Sequence, residues 1–168
     1  MHYFIFPEKD ATIFEASSSL NSGIDEVLEI RKNVSDTGAS VDVSRILIKF
    51  DTTFFQEASS SGLIPQTGSR AAKYFLNLYD ANPKALAASQ SLYAYPVSGS
   101  WDMGTGRSYD NPQTADGCSW KYRYNETNGT LWASGSGAED GAGGVWYSSS
   151  IAPAASASLN HKSQDLKI

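Results

Sequence analysis

Charged side chains are scarce in this sequence: 13 lysines and arginines with 18 aspartates and glutamates make up 18% of its 168 residues, where about 25% is usual. The balance is acidic, −5 at neutral pH. No basic face is available to a phosphate backbone, so nucleic-acid binding is not expected. Cysteine is almost absent. Cys118 stands alone, which excludes an intramolecular disulfide and a cysteine-ligated zinc site. Read by itself, it is a small buried apolar residue. Histidine is nearly as rare. His2 lies at the N-terminus and His161 in a polar segment beside Lys162, and neither is placed to act as the base of a Ser-His-Asp set. No apolar run approaches the roughly 18 residues of a membrane span. Residues 1–8 carry no basic stretch followed by a long apolar one, so no Sec signal is expected there.

What remains is aromatic and small. Nine tyrosines, seven phenylalanines and four tryptophans are too many for a disordered chain. With 25 serines and 14 glycines, the polar surface is made of hydroxyls and backbone more than of charge. A chain of this length supports one core, so a single domain over residues 1–168 is expected.

The dominant period is two, the signature of strands. Residues 44–51 place Ile46, Ile48 and Phe50 on one face and Arg45, Leu47 and Lys49 on the other. Residues 73–80 repeat the pattern with Tyr74, Leu76 and Leu78 inward. Residues 91–97 form a third strand, with Pro96 at its end or on an edge. Further strands are expected at 11–14, 26–31, 119–124, 130–133, 145–148 and 164–168. Turn chemistry separates them: Asn21-Ser22-Gly23, Ser35-Asp36-Thr37-Gly38, Asn82-Pro83 and Asn128-Gly129. Only 52–61 reads as helix, with Thr52 as its cap, Phe54, Phe55 and Ala58 along one side and Gly62 as its end. Residues 134–144 read as a Gly/Ser-rich acidic loop, and 151–158 are low in complexity. The expectation is an all-β fold, an antiparallel jelly-roll-like sandwich with one short helix.

The most specific stretch runs Ser98-Gly99-Ser100-Trp101-Asp102-Met103-Gly104-Thr105-Gly106-Arg107, then Asp110-Asn111-Pro112-Gln113-Thr114, then Asp116-Gly117-Cys118-Ser119-Trp120-Lys121-Tyr122. Two readings compete. Tryptophans can plug a sandwich core while glycines permit a tight loop, or exposed rings can stack on sugars. Trp101 and Trp120 fit the first; Trp132, Trp146 and Tyr147 are the candidates for glycan stacking. Asp102 and Asp110, with Asn111, offer hard oxygen ligands that would suit Ca²⁺, against the simpler reading of Asx turns. Asp102, Asp110, Asp116, Glu126, Glu139 and Asp140 are the carboxylates from which a glycan-cleaving pair would have to come. No catalytic set and no cofactor is expected. Asn33, Asn125 and Asn128 match glycosylation sequons, which mean little without an export signal.

The ordered set of motifs resembles a family. Asp10-Ala11-Thr12-Ile13-Phe14, Leu20-Asn21-Ser22-Gly23, Leu28-Glu29-Ile30-Arg31-Lys32 and residues 44–51 look like the opening of the DNRLRE-type domain, which is similar to carbohydrate-binding-module jelly rolls. The strands at 74–79 and 92–97, Trp101-Asp102 with Gly104-Thr105-Gly106, and Ser119-Trp120 follow in order. The wording of 100–107, 110–114 and 119–123 is similar to that of uncharacterised virion structural proteins of tailed phages, notably myoviruses of cyanobacteria. The resemblance implies a non-enzymatic component of a tail, neck, baseplate or fibre. Such a protein is assembled in the host cytoplasm and located in the virion. Its partners would be other virion proteins and copies of itself, without nucleic acid or membrane. The alternatives are a carbohydrate-binding module for a host-surface glycan, or a glycan-cleaving enzyme. In that family the strand matching 163–168 is followed by more strands, so the resemblance also implies a sheet completed by further sequence or by a neighbour.

Overall fold

A computed structural model describes residues 4–34, 41–65, 67–69, 71–79, 90–124, 129–132, 143–144, 155–159 and 165–167. Among these, nine strands and one helix follow the order β1 (Pro7–Phe14), β2 (Lys32–Val34), β3 (Val41–Phe50), α1 (Thr53–Ser60), β4 (Asn77–Tyr79), β5 (Gln90–Ala94), β6 (Tyr122–Tyr124), β7 (Thr130–Leu131), β8 (Ala155–Leu159) and β9 (Asp165–Lys167). The protein is mostly strands in antiparallel pairs with one short helix, an all-β chain. It divides into two compact units. One, the tryptophan unit, comprises Pro7–Lys49 and Tyr95–Pro153; the other, the helix unit, comprises Met1–Phe6, Phe50–Ala94 and Ala154–Ile168.

In the tryptophan unit, β3 is the centre of a three-stranded sheet, between β1 and β2. Lys49 meets Glu8 at one end of the β1–β3 pair (3.0 Å), and the Glu15 N–H donates to the Val43 carbonyl at the other, so the two strands run antiparallel. β2 pairs antiparallel through Lys32 and Val43, Asn33 and Asp42, and Val34 and Val41. β1 is buried on both faces over its last four residues. Ala11 and Ile13 join a core of Leu47, Trp101, Cys118, Trp120 and Trp132, with Val43, Val97 and Met103 at its margin. On the other face, Thr12 and Ser22 bond reciprocally: the Thr12 N–H donates to Ser22 Oγ, and Ser22 Oγ donates to the Thr12 carbonyl. The Arg31 guanidinium lies over the Phe14 ring.

The structure decides which face of β3 is buried and corrects one strand expectation. The buried face of β3 carries Leu47, while Ile46 and Ile48 are only half-buried. The core selects this face because Arg45 does not behave as a solvated charge: its guanidinium covers the Trp120 ring at 4.7 Å, burying its stem beside the indole. Residues 26–31 are not a strand. The Glu29 N–H donates to Thr12 Oγ1 and the Arg31 N–H to Ser44 Oγ, while Ser44 Oγ donates to the Glu29 carbonyl; the backbone bond to β3 here runs from the Ser44 N–H to the Arg31 carbonyl. Ladder pairing begins only at Lys32.

In the helix unit, α1 is entered through a different residue from the one expected. Thr52 makes no side-chain cap bond; instead Asp51 Oδ1 accepts the Thr53 N–H at 2.8 Å. The exit is as expected, at Gly62 with φ +74°, whose N–H donates to the Ser59 carbonyl. Ala58 and Ile64 are buried together at this end, joined by the Ile64 N–H and the Ala58 carbonyl. β4 pairs with β9 (Leu78 opposite Leu166), and β5 pairs with β8 (Leu92 opposite Ala157, Tyr93 opposite Ser156). β8 falls in the stretch that reads as low complexity. β4 is shorter than the expected 73–80 strand. Tyr74 is largely exposed, although its ring meets Phe55 edge-on at 5.7 Å. The strand expected at 145–148 lies outside the described residues.

Candidate functional site

The specific stretch folds around one side chain. Asn21 is fully buried, and all its polar atoms reach into other segments or its own turn. Nδ2 donates to the Met103 carbonyl at 2.7 Å and to the Cys118 carbonyl at 2.9 Å. Oδ1 accepts the Gly106 N–H at 2.7 Å and the Gly23 N–H at 3.3 Å. One amide thus fastens three segments, and its hydrogen-bonding capacity is filled. The glycines are there to let it in. A Cβ on Gly104, whose φ is +77°, would stand 2.5 Å from Asn21 Oδ1; one on Gly117 would stand 2.5 Å from Asn21 Nδ2 and from the Gly104 Cα. Real Cβ atoms do not approach so closely, so Gly-Thr-Gly and Asp-Gly are the close-approach points of this node.

The carboxylates are engaged in the same way. Asp116 accepts the Thr105 N–H (2.9 Å) and the Thr105 hydroxyl (2.5 Å). Burial pushes its carboxyl up, but these bonds to the ionised form outweigh that and hold it below the ordinary 3.8. Asp110 Oδ2 accepts the Arg107 N–H at 2.9 Å and the Thr114 hydroxyl at 3.0 Å. Asp102 Oδ1 accepts the Met103 N–H at 2.9 Å. These are Asx-type loop bonds. Asp102 and Asp110, the Ca²⁺ candidates, are not brought into a common ligand set. Among the described residues no group of three or more His, Cys, Asp or Glu is placed to hold a metal ion. Of the remaining acids, Glu126, Glu139 and Asp140 lie outside the described residues, as do both histidines.

The tryptophans complete the scaffold. Trp101 is buried, with the Lys9 ammonium over its ring at 4.7 Å and donating to its carbonyl. Trp120 lies under Arg45, whose Nη1 donates to the Gly143 carbonyl at 2.7 Å, while the Gly143 N–H donates to the Trp120 carbonyl at 2.6 Å. Trp132, a stacking candidate, is corrected to a core residue. It is 3% exposed and its indole N–H donates to the Ser119 carbonyl at 2.8 Å, so neither face is open to a sugar ring. Trp146 and Tyr147 lie outside the described residues. Cys118 sits in the same core, where burial pushes its thiol up to about 12; a thiol held protonated is a poor nucleophile.

Three features escaped the reading of the sequence. Asn21 was visible only as a turn residue, because nothing in a linear string joins it to residues 103–118. Tyr109, 67% exposed, stands on a turn closed by the Asp110 N–H and the Arg107 carbonyl and braced by Asp25, which accepts the Ser108 N–H. The third is the set of exposed rings in the helix unit. No family model, no curated protein and no solved structure matches the chain.

Proposed function

We propose that this chain is a non-enzymatic structural component of a tailed-phage particle, in its tail, neck, baseplate or fibres. In this reading it is a jelly-roll-like β-sandwich that works through contacts with other virion proteins and with copies of itself. The observation that carries the reading is the internal use of the 98–124 stretch. Among the described residues of that stretch, Asp110 and Asp116 bond loop N–H and hydroxyl groups, Cys118 is buried, and Trp101 and Trp120 fill the core. Function then belongs to surfaces. The ordered resemblance to virion proteins supplies the kind of assembly. The test is quantitative mass spectrometry of particles banded from the lysate in which the chain is made. A constant copy number relative to the other particle proteins is expected; absence from the banded particles rejects the reading.

A second reading, recognition of a host-surface glycan, has one observation of its own. The exposed Tyr109 ring is carried on a braced turn, and rigid aromatics on loops make low-entropy contact surfaces. Binding on a glycan array that is lost in Tyr109→Ala would support it; an array with no binding would remove it.

A further inference from the structure

Three arginines of the tryptophan unit, Arg31, Arg107 and Arg123, share one feature: Nε is shut off from solvent and has no acceptor. A buried N–H without a partner is rare and costs stability, so the fold holds each guanidinium in place at some expense. In two of them the outer end meets a carboxylate of the chain. Arg31 reaches Asp42 at 3.0 Å and Glu29 at 3.6 Å, and Arg107 reaches Glu26 at 3.9 Å. Arg123 is the exception. Among the described residues no carboxylate lies within ion-pair distance of it. The residue is half-buried and only its Nε is sealed, so the Nη end opens to water.

The backbone around Arg123 aims this side chain. β6 and β7 pair Tyr122 with Leu131 and Tyr124 with Thr130, which leaves Arg123 as the extra residue of a bulge. A bulge takes a residue out of the ladder and redirects its side chain. The freed Arg123 carbonyl accepts the Asp102 N–H at 3.1 Å. The guanidinium lies 5.4 Å from the centre of the Tyr124 ring, and that ring is tethered, its hydroxyl donating to Ser100 Oγ at 2.9 Å. Gly99 leaves room beside it: a Cβ there would stand 3.9 Å from Arg123 Nη1.

The surroundings narrow the kind of anion. Two Nη groups in one plane match the two oxygens of a carboxylate. Residues 98–102 and 122–124 contribute no large exposed apolar side chain, whereas a protein contact centred on an arginine is built around desolvated apolar anchors. Hydroxyls stand there instead, and hydroxyls are what a sugar bonds. We infer that Arg123, with Ser100 and Tyr124, binds the carboxylate of an acidic sugar, a uronic acid or its like. The inference rests on the glycan reading and names its ligand class, at a contact other than Tyr109. The Nη groups donate to the carboxylate oxygens. Ser100 Oγ, which accepts from Tyr124, donates its own proton to a sugar oxygen.

The experiment presents the whole 168-residue chain to an array of uronic-acid-terminated oligosaccharides, their carboxyl-reduced neutral counterparts and sulfated analogues. Binding to the uronic acids is expected, weaker by about tenfold or more once the carboxyl is reduced, a comparison that leaves the protein unaltered. Arg123→Lys keeps the charge but gives up the planar fork and loses about tenfold. Arg123→Gln loses more, and Ser100→Ala, at an exposed position, loses less; thermal melts confirm that the variants fold. Binding that is indifferent to the carboxyl, that prefers sulfate, or that survives Arg123→Gln overturns the inference and leaves the glycan reading standing. Binding to no glycan on the array removes that reading, and the inference with it.

Discussion

In the tryptophan unit the largest fully buried polar side chain among the described residues is Asn21, surrounded by close glycine contacts, in a unit whose buried indoles carry Lys9 and Arg45 on their faces. In the helix unit the buried set among the described residues is Ala58 and Ile64, and the large rings face water. The difference shows two ways of being specified. The first unit is fixed by hydrogen-bond geometry that tolerates almost no change at a few points. The second is fixed by secondary structure and leaves large apolar side chains exposed. Substitutions therefore behave differently in the two units, and the sharpest contrast comes from removing the amide at the centre of the first.

Asn21→Ala leaves two carbonyls, those of Met103 and Cys118, and the Gly106 N–H without their partner in a buried site. Each such loss costs about 1–3 kcal/mol, so a total of about 4 kcal/mol or more is expected in urea denaturation. Cys118 gives a local readout. Its thiol, fully buried and raised to about 12, is expected to resist alkylation in the native protein and to react quickly in Asn21→Ala. A substitution of an exposed ring in the helix unit, such as Phe75→Glu, should leave the labelling rate unchanged. Equal acceleration by both would mean that the two units open together, and the contrast would fail.

Glycines with the same backbone sign separate the units at the next scale. Gly104 has φ +77° and Asn21 against its missing side chain; Gly62 has φ +74° and open space around it. Gly104→Ala combines left-handed strain with a clash and costs about 2–4 kcal/mol. Gly62→Ala carries the strain alone, about 1 kcal/mol. Melting temperatures of the two variants should fall in that order; similar shifts would show that contact with Asn21 adds nothing. A smaller effect is expected at the entry to α1. Asp51→Ala removes the acceptor for the Thr53 N–H and costs about 0.5–1 kcal/mol, whereas Thr52→Ala, at the position without a side-chain cap bond, should be nearly silent.

This asymmetry also explains what was legible in advance. Alternation exposed β3, β4, β5 and β9, and turn residues separated them, because those signals are local. The helix at 53–60 was readable from its apolar side and from Gly62. The face of β3 was not, since Arg45 reads as a solvated charge until Trp120 is known to lie beneath it. Residues 26–31 have the apolar pattern of a strand, but their N–H groups bond Thr12 and Ser44 side chains, and a pattern of apolar residues carries no record of such partners. Around the candidate site, the glycines and aspartates of 98–120 stood out by composition. What they surround did not, because residues 103, 106 and 118 become neighbours only through an amide more than eighty positions away. Trp132 read as a stacking candidate for the same reason: an indole's exposure depends on what crosses it.

The smallest expected effect lies at the rim of the polar node and depends on pH. In the folded protein the Asp116 carboxyl is held below 3.8 by the two Thr105 bonds, against the upward push of burial. A carboxyl lowered on folding contributes stability that is present above its unfolded value and is lost as pH falls through 3.8 and then through the lower folded value. Thr105→Val keeps the backbone bond but removes the hydroxyl. The melting temperature of this variant should therefore lie below that of the wild type near neutral pH, and the gap should narrow as pH falls below 3.8. Comparing the two proteins cancels Asp10, whose carboxyl burial pushes up and which therefore moves stability the opposite way in acid. A gap that stays constant from neutral pH into acid would mean the hydroxyl acts as a neutral packing group. The rim of the tryptophan unit would then tolerate change as freely as the surface of the helix unit.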